Sequence, residues 1–175
     1  MTISTPTHTV SGHIDEPWFR EEHVLFREQV RRFVEDEVKP KAEAWEETGY
    51  VPRPILRQMG ELGFLGVRYH EEYGGSAMDT VATAVLAEEL GKSTFGGFAV
   101  TVLVHTDMAS PHLVNAGSKA QLDKYLPDII AGKKITAVAV TEPDAGSDVA
   151  GMRTTARKDG GDYVLNGTKM FINNG

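Results

Sequence analysis

Near Lys133 and Lys134 the spacing of apolar residues changes from helical to strand-like, and no single layer of secondary structure satisfies both halves. Upstream, apolar side chains recur every three or four residues between recognisable caps. Downstream they form short runs punctuated by glycine turns. The chain therefore reads as α+β: an N-terminal α-helical bundle over residues 15–133, followed by the beginning of a β-barrel-like domain over residues 134–175.

In the helical half, Phe26, Val30, Phe33, Val34 and Val38 place one apolar stripe on a helix over residues 21–38. Pro40 breaks or restarts it, and residues 42–47 continue as a short helix around Trp45 before Gly49. Pro54 suits the first turn of a helix over residues 55–62 that ends at Gly63. Residues 63–67 read as a buried extended piece, followed by a turn at Gly74 and Gly75. Asp79 is a good N-cap for a helix over residues 80–90, with Gly91 closing it. Residues 98–113 are small and apolar with polar points at Thr101, His105, Thr106 and Asp107, as in a helix buried nearly all round or a pocket wall. Ser118 caps a last helix over residues 119–125, and Pro127 and Gly132 end the helical part.

The second half has strand-like runs at residues 135–140, 154–157, 163–165 and 170–172. Asp159-Gly160-Gly161-Asp162 and Asn166-Gly167 are strong turn signals between them. Residues 141–148 form a polar loop in which Pro143 cannot donate to a ladder and Gly146 lets a ligand approach the backbone. Thr141 and Ser147 place hydroxyls on either side of the bend. Such a loop is either a cradle for an anion or a heteroaromatic ring, or a turn that binds nothing.

Composition narrows the partners. Of the 175 residues, 25 are acidic and 18 basic, a net charge of -7, with no basic stripe to neutralise phosphates, so nucleic acid is an unexpected partner. No Cys is present, which excludes disulfides and thiolate chemistry and fits a reducing compartment. Met1 to Gly12 carry neither an apolar signal core nor Arg, and residues 1–14 are expected to be a disordered tail. The longest weakly polar run, residues 95–104, is about half of the ~20 residues a membrane span needs. A soluble, cytoplasmic protein is expected.

Several chemical readings compete with plainer ones. Gly91-Lys92-Ser93 resembles the end of a phosphate loop, but Leu86 stands where that loop needs Gly. Glu142, Asp144 and Asp148 could attract a hard cation, although their spacing fits no EF-hand loop and Pro143 restricts the backbone. His105 and His112 read as ordinary helix residues. Glu88 and Glu89 diverge by about 100° on a helix, so one is expected in solvent and one against a neighbouring helix.

The run Val140-Thr141-Glu142-Pro143-Asp144-Ala145-Gly146-Ser147-Asp148 resembles the flavin-binding signature of the acyl-CoA dehydrogenases. Leu165-Asn166-Gly167-Thr168-Lys169-Met170-Phe171-Ile172-Asn173-Asn174-Gly175 is similar to their second flavin-contact segment. The likeness runs from about Phe19 to the last residue. It implies the family's N-terminal helical domain and the first part of its middle β domain, without the C-terminal helical domain that carries the catalytic Glu. FAD is the implied cofactor. Val138, Val140 and Thr141 are expected along the flavin ring, with Thr141 bonding the pyrimidine edge. Gly146 and Ser147 are expected at the pyrophosphate, and Ser147 also at the acyl-CoA substrate. Phe171 is expected against the isoalloxazine, with Ile172 beside it. Asn173 stands where the family usually has Ser or Thr donating to flavin N5, and Val138 where aromatics are common.

The implied reaction removes the α proton of an acyl-CoA thioester and passes the β hydride to flavin, with electron-transferring flavoprotein as the acceptor. No residue of this chain is expected to be the base. A homotetramer is what the resemblance implies. Residues 98–103 are expected to line the acyl pocket, and Phe19-Arg20-Glu21-Glu22-His23 is similar to the long-chain branch. Short or branched acyl groups remain open, as do an acyl-CoA oxidase, a flavin monooxygenase, and a half-enzyme serving as an interaction module.

Overall fold

The computed structural model describes residues 18–175, so the expected tail over residues 1–14 lies outside the described residues. Among the described residues seven α-helices come first: α1 Glu21–Phe33, α2 Ala42–Thr48, α3 Arg53–Glu61, α4 Thr80–Gly91, α5 Gly96–Leu103, α6 Ser110–Ala116 and α7 Lys119–Ile130. Two strands follow, β1 Thr155–Asp159 and β2 Asp162–Asn166. A helix-rich body with a small antiparallel sheet is the α+β arrangement expected.

The stripe on α1 is buried as its spacing requires. Phe26, Val30, Phe33, Val34 and Val38 all lie in the core, where Phe26 and Phe33 set their ring edges on Phe64 at 5.8 and 5.6 Å between centroids. The helix does not stop at Pro40. A wide π-type turn over Val34–Val38 and a tight turn over Lys39–Lys41 carry it into α2, because Pro40 sits where its missing N–H is least needed. The expected division between Glu88 and Glu89 holds. Glu88 is exposed, whereas Glu89 is fully buried and takes hydrogen bonds from Arg27 at 3.1 Å, Arg31 at 3.2 Å and Lys92 at 2.8 Å. Burial by itself would raise the Glu89 pKa, but the bonds from Arg31 and Lys92 hold it below the usual range.

Four expectations need correction. The long helix over residues 98–113 is interrupted by a π-type turn, Val104–Ala109, ahead of Pro111, whose ring cannot donate to the turn before it. Residues 63–65 turn rather than extend, though Phe64 and Leu65 are buried as expected. Helix α7 runs through Pro127 to Ile130, because Leu126, Ile129 and Ile130 bury against Tyr69 and Tyr73 and this packing outweighs the lost backbone bond. Finally, residues 135–140 and 170–172 form no strands. A strand exists only as half of a ladder, and neither run has a ladder partner among the described residues.

The remaining two runs do pair. In the β1–β2 hairpin Thr155 lies opposite Asn166 and Asp159 opposite Asp162, and Gly160 turns the chain at φ 61°. Both strands are exposed along their whole length. Among the described residues, no helix is long and apolar enough to cross a membrane.

Candidate functional site

The polar loop is built around a carboxylate that points inward. Glu142 and Ala145 exchange backbone hydrogen bonds of 2.9 and 3.2 Å, closing the turn around Pro143 and Asp144. The Glu142 side chain turns beneath this loop and is only 7% exposed. Its oxygens accept from the Arg153 amide at 2.6 Å, the Thr154 amide at 3.0 Å and Lys169 Nζ at 2.9 Å. The Thr154 side chain beside it, the Arg153 amide and the Lys169 ammonium hold its pKa down to about 2. Lys169 also donates to the Val140 carbonyl at 2.9 Å, and the Met170 amide to the Thr141 carbonyl at 2.9 Å. The two segments singled out in the sequence, 140–148 and 165–175, are thereby drawn together.

The three carboxylates that could attract a hard cation are each committed elsewhere. Glu142 is held as above, Asp144 pairs with the Arg153 guanidinium at 3.2 Å, and Asp148 accepts the Gly151 amide at 3.2 Å. Near the other end of the chain Glu22, His23 and Asp79 do cluster. There Arg20 already supplies the positive charge, 2.5 Å from Glu22 and 2.8 Å from Asp79, while Asp79 caps α4 through the Ala82 amide.

The eight predicted site residues divide by exposure. Val138, Thr141 and Ile172 are half-buried, whereas Val140, Gly146, Ser147, Phe171 and Asn173 are exposed. Phe171 is 84% exposed and sits at φ 56°, a left-handed conformation that turns a large aromatic ring outward. Gly146 has nothing within 4 Å of where a Cβ would stand, and among the described residues the amides of Gly146 and Ser147 make no hydrogen bond. A cleft of about 420 Å³ between Tyr50, Arg53, Thr101, Ile135 and the chain's last residues takes Asn173 alone of the eight. The other seven are placed by the loop and the segment bound to it.

Sequence reasoning passed over the anchor of this loop to the helices. His105, expected as an ordinary helix residue, is fully buried on the π-type turn. Its Nδ1 accepts the Thr136 amide at 3.1 Å. An acceptor Nδ1 leaves the ring proton on Nε2, which donates to the Ile129 carbonyl at 3.1 Å. The Thr136 hydroxyl donates in turn to the His105 carbonyl at 3.2 Å, with Ser110 Oγ 2.9 Å away. Burial pushes the His105 pKa down; Arg53 adds to this and the Ile129 bond opposes it. The imidazole is a neutral clamp between α5, the end of α7 and the strand-like run that leads to Thr141. No local sequence signal marks it, since its partners are far along the chain.

Residues 20–133 match the family description "Acyl-CoA dehydrogenase, N-terminal domain", and residues 137–175 match "Acyl-CoA dehydrogenase, middle domain". The chain is 43% identical over 157 residues to the long-chain specific acyl-CoA dehydrogenase, mitochondrial, of Rattus norvegicus, covering 90% of this chain and 36% of that protein. Its structure is similar to that of an acyl-CoA dehydrogenase from Geobacillus kaustophilus, with a TM-score of 0.82 and 42% identity over 89% of this chain and 40% of the other. An acyl-CoA dehydrogenase complexed with FAD from Bacillus anthracis superposes with a TM-score of 0.83 at 39% identity, over 88% of this chain and 27% of the other. The chain thus spans two fifths or less of these relatives' own lengths. With both domain descriptions matched along nearly all of its described length, the chain belongs to the acyl-CoA dehydrogenase family.

Proposed function

We propose that residues 138–148 and 170–173 bind FAD, and that the protein to which they belong dehydrogenates an acyl-CoA thioester between its α and β carbons to give a trans-2-enoyl-CoA. One observation carries the reading: Glu142 and Lys169 hold the two segments together while Val140, Gly146, Ser147 and Phe171 face outward. The residues present suit the group. Unbonded amides at Gly146 and Ser147 match a pyrophosphate, and the exposed Phe171 ring and Val140 side chain match a flat heteroaromatic face. Met170 occupies the Thr141 carbonyl, which leaves the Thr141 hydroxyl and amide for the pyrimidine edge. Asn173 offers an NH2 donor where relatives offer a hydroxyl, and Val138 covers the ring without stacking.

The chemistry FAD supplies when bound is acceptance of a hydride from the substrate's β carbon. This chain's part is orientation. Ser147 meets cofactor and acyl-CoA, and α5 presents Val100 and Leu103 as one wall of the acyl site. Glu142, buried and held ionised by its donors, is unsuited to take a substrate proton, and the reading assigns the base to a Glu of a further helical domain. Long-chain acyl-CoA is the favoured substrate, supported by the 43% identity to a long-chain specific relative, with short and branched acyl groups as alternatives. Electron-transferring flavoprotein as acceptor, a homotetramer, a cytoplasmic location and a division into residues 15–133 and 134–175 complete the proposal.

Titration with FAD under anaerobic conditions, followed by the visible flavin bands, is the direct test. The wild-type chain is expected to retain FAD, while Gly146→Val and Ser147→Phe lose it with their helical circular dichroism unchanged. Normal flavin content in both variants sinks the assignment.

A further inference from the structure

Asn174 sits at φ 66°, in the left-handed region where Asn is among the few side chains that settle readily. From there its Nδ2 donates to the Thr101 carbonyl at 2.9 Å and to the Thr136 carbonyl at 3.3 Å. An amide nitrogen carries two hydrogens, so both bonds form at once. Thr101 lies in α5, and its carbonyl already accepts the Val104 amide, using its second lone pair for Asn174. Thr136 belongs to the run that His105 clamps and that leads to Thr141. Asn174 itself directly follows Phe171, Ile172 and Asn173. A single carboxamide therefore joins three pieces that the backbone brings together from 73 and 38 residues apart.

We propose that Asn174 is a positioning residue that sets the spacing between α5 and the flavin-facing run 170–173. The inference rests on the reading of that run as a flavin contact. On that reading α5 carries the acyl side of the site and residues 170–173 the flavin side, so the bridge sets the separation over which the hydride must pass. Reacting atoms need to approach within about 3–3.5 Å, and misplacement by 1 Å costs on the order of a hundredfold. The two carbonyls are the only acceptors that Nδ2 meets among the described residues, so both of its hydrogens are committed to the bridge.

Three variants separate the bridge from the backbone conformation. Asn174→Gly keeps the left-handed backbone accessible and removes the amide. Asn174→Asp keeps the shape and sets a carboxylate oxygen against two carbonyl oxygens. Asn174→Gln keeps the amide on a longer arm. Each is examined by hydrogen–deuterium exchange of the bonded Thr136 amide in one run and the bonded Met170 and Gly175 amides about the other, by FAD dissociation constant, and by the position and fine structure of the bound-flavin visible bands. We expect Asn174→Gly to exchange faster in both runs and bind FAD about tenfold more weakly, Asn174→Asp to do worse, and Asn174→Gln not to restore the wild-type flavin spectrum. Helical circular dichroism is expected to stay unchanged in all three.

Wild-type exchange, FAD affinity and flavin spectrum in Asn174→Asp overturn the proposal. If Asn174→Asp disturbs the helical part, Asn174→Gly decides, since it adds no repulsion. If the wild-type chain itself retains no FAD, the functional reading falls, and exchange in the two runs alone decides whether Asn174 holds them.

Discussion

Glu142 illustrates how one side chain organises a loop. Its pKa is depressed to about 2 from the ordinary carboxylate value near 4.5, so its contribution to stability is complete above pH 4.5. That contribution is lost as the pH falls from 4.5 towards 2. Glu142→Gln is therefore expected to lower stability at pH 7 and to remove the part of the acid transition in that window, as read by the Arg153 and Thr154 amide resonances. Lys169→Met is expected to loosen the same amides at pH 7. His105 works in the same sense in a higher pH window, through its neutral rather than its charged form. Its pKa lies below 6.5 when folded, so the unfolded chain binds the proton first, and stability falls as the pH drops below about 6.5. One such group contributes a slope of at most about 1.4 kcal/mol per pH unit. His105→Phe is expected to erase that share of the slope in a wild-type-minus-variant comparison of denaturation midpoints. It should also cost on the order of 1–3 kcal/mol, because it leaves the half-buried Thr136 amide without its acceptor, while the Ile129 carbonyl keeps the Gly132 amide.

At the scale of elements, local chemistry and packing contributed unequally. The N-caps were legible: Asp79 accepts the Ala82 amide at 3.1 Å and Ser118 the Gln121 amide at 3.3 Å, both where the residue types pointed. Helix ends were less so, because α7 overrides Pro127 with apolar burial that no local pattern announces. Gly132, expected only as a stop, has a second role. It turns at φ 66°, and a Cβ there would stand 2.3 Å from the Leu56 carbonyl oxygen of α3. Gly132→Ala is accordingly expected to destabilise the helical part by about 1–3 kcal/mol, the usual cost of a strained backbone position, measured by urea denaturation. Leu90→Ala, at a fully buried position of α4 in the helical core, is expected to cost about 2–5 kcal/mol by cavity formation in the same assay.

Across the whole molecule the helices and the hairpin differ in what holds them. The helices share a core in which Val30, Met59, Leu90 and Phe98 are wholly buried, whereas every residue of the hairpin is exposed and a lone two-stranded hairpin is marginal in water. Amides of β1 and β2 are therefore expected to exchange orders of magnitude faster than those of α1 and α4. Equal protection would contradict this division. Residues within one turn of each other carried the apolar stripe of α1, both N-caps, the Gly160 turn and the loop around Gly146, and all of these are present in the fold. Other features depend on partners distant in sequence. Lys169 meets Glu142 across 27 residues, Thr136 meets His105 across 31 and Asn174 meets Thr101 across 73, and none of these pairs has a local signature. The strand-like runs at 135–140 and 170–172 have the same dependence, since a ladder needs a second strand. Periodicity, capping and turn chemistry act through neighbouring dihedrals and are written residue by residue. A buried ion pair, a clamp or a ladder exists only once packing has excluded water and brought distant donors and acceptors within hydrogen-bonding distance.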